Sequence, residues 1–225
     1  MSNIIKIYTG WDVREEIGWH VFTSSVLQRT VQPVSFIPLN AGMAGITRVG
    51  TNAFTYSRYL IPYLESYSGR VMFVDGADML CLADIKELWD LYDSSCAVQV
   101  VPHNYTSKNH LKYIGTSMEA RNEDYPRKNW SSVMLMNCAH PAWRKINPDT
   151  IDKLNTTSLH RLSHIDERYI GFLPFTWNWL VGEYGFDPTI KLAHFTLGIP
   201  SFPYYKNCDY SEQWWEQYKR MLDQS

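Results

Sequence analysis

The strongest constraint on the fold is the run from Arg70 to Val74 (RVMFV), which is nearly continuous in apolar residues and ends on Asp75. A strand with one face in water would alternate apolar and polar residues, whereas a continuous apolar run is typical of a strand buried on both faces. Such strands belong to α/β proteins, in which helices cover both faces of a mostly parallel sheet. The run therefore predicts a central strand of an α/β sheet.

The first hundred residues alternate between strand and helix patterns. Short β-rich runs predict strands at 4–9, 34–39, 97–101 and 132–136, and apolar residues at helical spacing predict helices at 14–28, 54–64, 85–92 and 210–222. This alternation predicts an open, mostly parallel, twisted sheet flanked by helices in a single compact domain. Between two of the strands, residues 103–129 are polar and irregular over more residues than a connection needs, so we expect a binding loop there.

Charge and composition exclude several classes of function. Lys and Arg number 21 against 23 Asp and Glu, so a net charge of -2 leaves no basic field to attract nucleic acid or an anionic membrane. No window reaches the roughly 18 apolar residues of a membrane span, and the first residues lack a signal peptide's apolar stretch. We therefore expect a cytoplasmic protein. The cysteines at 81, 96, 138 and 208 form no CxxC pair, which favours reduced thiols.

Polar residues directly after the predicted strands mark the candidate site. In open α/β sheets, ligands bind outside the carboxyl ends of the strands. In this sequence those positions are Thr9 to Asp12, Asp75 to Asp78, His103 and Asn137. We expect these residues to lie together at one edge of the sheet.

Two of these residues, Asp75 and Asp78, have the chemistry of cation ligands. Gly76 between them permits an unusual turn, so the carboxylates can converge and offer hard oxygen atoms to Mg²⁺ or Mn²⁺. The structural alternative is that both aspartates are turn or cap residues, as Asp84 is expected to be for the helix that begins at Ile85. The pair alone does not decide between these interpretations.

Five motifs in order resemble those of a known enzyme family. The segment RVMFVDGADMLCLADIKELWDL is similar to the strand–DxD–strand segment of family 8 and related retaining glycosyltransferases of the GT-A fold. Four further segments resemble that family's motifs, namely Tyr8 to Asp12, Tyr56 to Leu64, Ser132 to Asn137 and His194 to Pro200. The resemblance spans residues 4 to about 202 of this sequence.

The resemblance implies a fold and an activity. The fold would be the GT-A type, with a Rossmann-like nucleotide-binding half at 1–102, a half for donor sugar and acceptor at 103–209, and a C-terminal helix at 210–225. The enzyme would move a hexose from a nucleotide sugar, UDP-glucose or UDP-galactose, to an acceptor with retention of configuration. The acceptor could be a glycan, a lipid-linked sugar, a protein or a small molecule.

The resemblance also assigns roles to individual residues. Mn²⁺ or Mg²⁺ would be held by Asp75, Asp78 and His194. The donor would contact Tyr8, Thr9, Gly10, Asp12, Arg58, Asp75, Gly76, Gly198 and Lys206. Asp166 would stabilise an oxocarbenium-like centre and Asn137 would complete the catalytic pair. The structural alternatives are a core imidazole for His194, a surface ion pair for Arg58 and a solvated charge run for Asp166.

The sequence departs from the family's pattern at two places. Two residues, Gly76 and Ala77, separate the aspartates instead of one, which puts the metal affinity in question. The family has a lysine six positions after the histidine, where this chain has Pro200. Lys206 or Lys108 would then supply the missing phosphate-binding charge.

Two other functions compete with a glycosyltransferase. A sugar-phosphate nucleotidylyltransferase also has a nucleotide-binding α/β sheet and magnesium carboxylates, but it normally begins with a glycine-rich loop, and Ile7 to Trp11 contains one glycine. A non-catalytic carbohydrate-binding module would keep the aromatic pocket without turnover. Manganese-dependent donor hydrolysis would distinguish the enzyme from the module.

Overall fold

The computed structural model describes residues 4–223, which form two mixed sheets, a small hairpin and surrounding helices. The strands are β1 (Ile5–Gly10), β2 (Val34–Leu39), β3 (Arg70–Val74), β4 (Met79–Cys81), β5 (Val98–Val100), β6 (Leu111–Lys112), β7 (Ala120–Arg121), β8 (Val133–Asn137), β9 (Ile170–Phe172), β10 (Trp179–Leu180) and β11 (Leu192–His194). The α-helices are α1 (Glu16–Leu27), α2 (Ile61–Leu64), α3 (Ile85–Trp89), α4 (Pro148–Ile151), α5 (Thr156–His160) and α6 (Ser211–Asp223).

The main sheet has six strands in the order β2-β1-β3-β8-β5-β9. Strands β1, β2 and β3 are parallel, β8 runs antiparallel to both of its neighbours, and β9 is parallel to β5. Five strands therefore run in one direction, and the prediction of a mostly parallel α/β sheet is confirmed. The halves predicted at 1–102 and 103–209 both contribute strands to this one sheet.

Strand β3 lies inside the sheet and is buried on both faces, as its apolar run predicts. Val71 and Phe73 pack into one hydrophobic cluster, and Met72 and Val74 pack into the other. The first cluster is covered by residues of α2, α4 and α5, and the second by residues of α1 and α3. Because every side chain of β3 after Arg70 is fully buried, the strand places Asp75 at a fixed point at the end of the sheet.

A second sheet of three strands completes the same end of the molecule. Its order is β10-β11-β4, and β4 follows β3 after the turn that contains Asp75 and Asp78. Strand β11 runs antiparallel to β4, with His194 opposite Met79. This sheet packs with α1 and α6 around Leu80, Phe195 and Trp214.

Several elements differ from the sequence patterns. The helix predicted at 54–64 begins as a 3-10 turn over 57–60 and becomes α-helical only in α2, where Pro62 fits the first turn of a helix because it needs no donor there. The loop predicted at 103–129 contains the β6–β7 hairpin.

All four cysteines are free thiols, and no helix within residues 4–223 is long and apolar enough to cross a bilayer.

Candidate metal centre and cavity

Asp75, Asp78 and His194 meet at the end of the central strand. The Nε2 atom of His194 lies 3.1 Å from Oδ2 of Asp78 and 3.9 Å from Oδ2 of Asp75. One ligand atom from each of the three side chains lies within 4.8 Å of the other two. The pairing of β11 with β4 produces this contact, because it sets His194 beside the turn that ends at Met79.

The turn from Asp75 to Asp78 accommodates the extra residue between the two aspartates. The amide of Ala77 donates to the Asp75 carbonyl at 2.8 Å, and Gly76 adopts a left-handed φ of +73° that favours glycine. Helix α1 packs against the turn backbone to backbone, since a Cβ added at Gly18 would lie 1.9 Å from the Ala77 carbonyl oxygen. Both carboxylates therefore reach the same imidazole despite the longer spacing.

An amide relay fixes the orientation of the His194 ring. The side-chain nitrogen of Asn178 donates to Oγ of Ser132 at 2.9 Å and to the Asn129 carbonyl at 3.1 Å, which leaves Asn178 Oδ1 as an acceptor. That oxygen lies 2.9 Å from Nδ1 of His194, so Nδ1 carries a proton and donates. The Nε2 atom accordingly faces the two aspartates, the arrangement that a metal-binding histidine needs.

The electrostatics of the cluster favour a cation. Burial and the charge of Asp78 raise the pKa of Asp75 to about 6, against the opposing effect of Arg58. Burial alone would lower the pKa of His194, but the carboxylate of Asp78 raises it above its usual value. Burial and the charges of Asp78 and Asp12 also raise the pKa of Glu15 well above its usual value.

The donor set fits Mn²⁺ or Mg²⁺. Oδ1 of Asp78 is buried and has no hydrogen-bond partner within the described part of the chain. Buried carboxylate oxygens are normally paired, so an unpaired one in a side chain close to a second carboxylate indicates a missing positive partner. Two carboxylates and an imidazole are ligands that a hard or borderline divalent cation accepts.

Arg58 belongs to this centre and not to the surface. Its Nη1 lies 2.6 Å from Oδ1 of Asp75 and donates to the Ser131 carbonyl at 2.9 Å. The guanidinium also lies 4.9 Å from the centre of the Phe73 ring, and 6% of the residue is exposed. The 3-10 turn at 57–60 therefore holds Arg58 against Oδ1 of Asp75, while His194 lies nearer to Oδ2.

A cavity of about 640 Å³ opens directly above the cluster. Its floor is formed by Asp75, Asp78 and His194, and its walls include Asn52, Arg58, Lys112, Tyr125, Thr156 and His160. These walls come from segment 51–55, the β6–β7 hairpin, segment 121–132 and α5 with Arg161. The volume is within the range of small-molecule and cofactor sites.

Asn137 lies at the opposite end of the sheet, which corrects the expectation that it joins the site. Strand β8 is antiparallel to β3, so its last residue pairs with Arg70, the first residue of β3. The Asn137 side chain donates to the Ser94 carbonyl at 3.0 Å. The expectation failed because it assumed that β8 runs parallel to the other strands.

Asp166 does not line the cavity either. It caps the short 3-10 turn that precedes β9, and β9 runs in the same direction as β3, so Asp166 is near the start of its strand and far from Asp75. Its carboxylate is half exposed and lies 3.0 Å from Arg168. The structure therefore agrees with the alternative of a solvated charge run.

The residues of the first strand have partners within the protein. The hydroxyl of Tyr8 donates to Glu65 at 2.6 Å, and Oγ1 of Thr9 accepts from Trp19 at 2.8 Å. Gly10 lies against the Phe54 ring, where a Cβ would be 2.4 Å away. Asp12 caps the next turn and pairs with Arg14. None of the four is among the residues that line the cavity.

The two lysines proposed to replace the missing phosphate ligand lie elsewhere. Lys206 and Lys108 are exposed and do not line the cavity. Gly198, predicted to approach the diphosphate, has a φ of +151° and packs against Tyr205, whose ring would be 2.4 Å from a Cβ at that position. Its small size is therefore used by a protein contact.

Several residues of the site were not identified from the sequence as cation-site or cavity residues. Asn178 follows the segment LPFTW, which carries no cation-site motif, and it orients His194. Lys112 and Tyr125 lie within the binding loop predicted at 103–129, without an individual role, and both line the cavity. Glu15 carries no motif, so only the fold brings it beside the cluster.

Comparison with known proteins provides one relative and several solved structures. No family model matches the sequence. Protein CDI of Arabidopsis thaliana is 37% identical over 222 residues, which cover 93% of this chain and 84% of that protein.

Solved glycosyltransferases share the fold at low sequence identity. The glycosyltransferase GlyE of Streptococcus pneumoniae TIGR4 superposes with a TM-score of 0.60 and 13% identity over 98% of this chain. This chain covers 63% of the GlyE chain. The galactosyltransferase LgtC, solved with donor and acceptor sugar analogues, has a TM-score of 0.58 and 15% identity, with 96% of both chains covered. The architecture is thus that of the GT-A glycosyltransferases.

Proposed function

Since the chain belongs to the family of Arabidopsis thaliana protein CDI and has the GT-A fold, we propose that it is a metal-dependent glycosyltransferase. The reaction moves a hexose from a nucleotide sugar, UDP-glucose or UDP-galactose, to an acceptor with retention at the anomeric carbon. LgtC supports the hexose assignment, because a galactosyltransferase has this fold over nearly the same length.

The observation that carries the proposal is the position of the Asp75, Asp78 and His194 cluster on the floor of the cavity. Three ligand side chains converge at the carboxyl end of a central strand, where α/β sheets bind ligands. The cavity above them has room for a sugar phosphate group and is lined mainly by polar side chains. A purely structural cluster would not need this opening.

Each residue of the cluster has a separate task. Asp75, Asp78 and His194 would hold the cation, which when bound neutralises negative charge on the leaving diphosphate. Asn178 keeps the proton of His194 on Nδ1, so that Nε2 stays available. Arg58 fixes Asp75 through their ion pair and adds positive charge at the same wall.

The part of the cavity wall that includes α5 suits a sugar. Thr156, Thr157 and His160 line it together with Tyr125, and these side chains offer hydroxyl and imidazole groups. The His160 ring accepts or donates at Nδ1 to the Tyr59 hydroxyl at 2.9 Å, and burial lowers its pKa to about 3. A neutral imidazole and hydroxyls can hydrogen-bond sugar hydroxyls without adding charge.

The direct test is turnover of UDP-glucose and UDP-galactose by the wild type and by Asp78→Ala. We expect slow, Mn²⁺-dependent release of UDP from the wild type, and at least about a 100-fold loss in the variant, the scale of removing one electrostatic stabiliser. Asn137→Ala is the matched control, because this polar residue lies at the other end of the sheet.

Three results would contradict the proposal. Equal turnover by Asp78→Ala and wild type would remove the cation site from the reaction. Release of pyrophosphate from UTP and a hexose 1-phosphate would instead identify a nucleotidylyltransferase. A protein that binds sugars but turns over no donor would be a carbohydrate-binding module.

A further inference from the structure

Lys112 contributes an unpaired ammonium group to the cavity. It lies on β6 and lines the same space as Asp75 and Asp78. Within residues 4–223 its ammonium has no hydrogen bond and no ion pair, and its one aromatic contact is with the Tyr113 ring, whose centre lies 5.3 Å away. Burial lowers the pKa of Lys112, while the charges of Asp78, Glu15 and Asp75 oppose this effect.

The other buried cations at the cavity have partners inside the protein. Arg58 is paired with Asp75. Lys128 donates to Oγ of Ser107 at 2.6 Å and to Oδ1 of Asn122 at 2.8 Å. A partly buried ammonium loses hydration, and neither the Tyr113 ring nor carboxylates beyond hydrogen-bond reach replace its lost hydrogen bonds, so its position is explained by an anion that enters the cavity.

The β6–β7 hairpin holds Lys112 in place. The amide of Tyr113 donates to the Leu197 carbonyl at 2.6 Å, and the amide of Ile114 donates to the Tyr205 hydroxyl at 3.1 Å. The Tyr205 ring packs in the space that Gly198 leaves open. The segment that begins at His194 thus anchors the hairpin as well as the candidate metal ligand.

We propose that Lys112 binds the diphosphate of the donor and replaces the lysine that is missing at Pro200. This inference rests on the proposed function. A diphosphate spreads its charge over several oxygens, so a cation held by the two aspartates leaves other oxygens for a second positive group. Lys206 and Lys108 do not line the cavity and cannot take this role.

The test is calorimetric titration of the full chain with UDP, uridine and inorganic pyrophosphate in the presence of Mn²⁺. For Lys112→Met we expect UDP and pyrophosphate to bind about 10- to 100-fold more weakly, the usual loss for one charged hydrogen bond. Uridine binding should change by less than about twofold, because uridine carries no phosphate. Lys112→Arg should recover part of the loss, and Lys206→Met should bind like the wild type.

The melting temperature separates binding from folding. Because the ammonium has no hydrogen bond or ion pair within residues 4–223 and burial lowers the pKa of Lys112, Lys112→Met should melt at or above the temperature of the metal-free wild type. If the methionine variant does not fold, Lys112→Gln, which keeps a polar end, takes its place in the same titrations.

The outcomes for Lys112 and for the proposed function can be distinguished. UDP binding that is equal in wild type and Lys112→Met overturns the role of Lys112 and leaves the glycosyltransferase standing. Pyrophosphate binding that depends on Lys112, without any UDP binding, supports Lys112 and defeats the nucleotide-sugar donor. A wild type that binds neither compound overturns both.

Discussion

The two ends of strand β3 differ in which polar atoms lack hydrogen-bond partners. At the end with Asp75, buried polar atoms of Asp78, Glu15 and Asn52 lack hydrogen-bond partners within the described chain. At the other end, Asn137 donates to Ser94, and Asp93 accepts from the amide and hydroxyl of Ser95. The buried ring nitrogens of His164 also lack partners at that end, where His164 lies against Trp143. The Asp75 end is therefore distinguished by unpaired oxygens of acidic side chains, those of Asp78 and Glu15.

The unpaired buried atoms at the Asp75 end reduce the stability of the folded protein. Leaving a buried polar atom unpaired costs about 1–3 kcal/mol, which selection for stability alone would remove. Such costs persist where a ligand supplies the missing partner. Unpaired oxygens of acidic side chains are the atoms that a cation would satisfy, and Asp78 and Glu15 supply them at the Asp75 end.

The largest loss of stability is expected from adding a methyl group at Gly18, which packs against the turn at the Asp75 end. In Gly18→Ala, the new Cβ would lie 1.9 Å from the Ala77 carbonyl oxygen, so the helix or the aspartate turn must move. We expect a loss of about 3 kcal/mol in the free energy of unfolding, and weaker Mn²⁺ binding. Denaturant titration and calorimetry would measure the two effects.

Gly69→Ala is the matched substitution at the other end of β3. Gly69 has a φ of +71° and nothing within 4 Å of an added Cβ. We expect a loss of only about 1–2 kcal/mol from backbone strain and unchanged Mn²⁺ affinity. Equal effects of both substitutions on Mn²⁺ binding would remove the distinction between the ends.

Binding of Mn²⁺ is expected to have an intermediate effect on the melting temperature. A ligand at 100 times its dissociation constant stabilises a protein by about 2.7 kcal/mol, which raises the melting temperature by about 5 °C or more in a chain of this size. Thermal melts should show this shift in the wild type and in Asn137→Ala but not in Asp78→Asn. A shift retained by Asp78→Asn would place the cation elsewhere.

The smallest effect is a change in pH dependence of the metal-free protein. Asp75 has a pKa of about 6 in the folded state, above its usual value, so the folded state binds more protons between about pH 4 and 6. The contribution of Asp75 to the free energy of unfolding is therefore fully present at low pH and is lost as the pH rises through about 6. In Asp75→Asn, denaturant titrations with a chelator should show a smaller loss over this window.

Asp93 is the comparison acid at the other end. Hydrogen bonds from Ser95 lower the pKa of Asp93, so its contribution is present above its usual pKa and is lost only as the pH falls further. Asp93→Asn should therefore leave the slope between pH 4 and 7 unchanged. A slope altered equally by Asp93→Asn and Asp75→Asn would contradict this assignment.

The sequence was informative where a local pattern determines the structure. The apolar run of β3 predicted a strand buried on both faces, and this property alone places Asp75 at a strand end. His194 and Asp78 were predicted as partners from motif resemblance, and the pairing of β11 with β4 brings them to 3.1 Å.

The failures come from strand direction and long-range packing. A β-rich run looks the same in either direction, so nothing local revealed that β8 is antiparallel and carries Asn137 away from the site. Lys112 lies in a two-residue strand whose position depends on contacts with Leu197 and Tyr205, far along the chain. No pattern within a short window records such contacts.

The segment from His194 to Gly198 connects two parts of the site. It carries the candidate cation ligand at one end and contacts the hairpin of Lys112 near the other. Two sites that share a rigid support influence each other's occupancy, and thermodynamic linkage makes that influence mutual. A diphosphate that tightens the hairpin should therefore raise the cation's affinity by the same factor by which the cation raises that of the diphosphate.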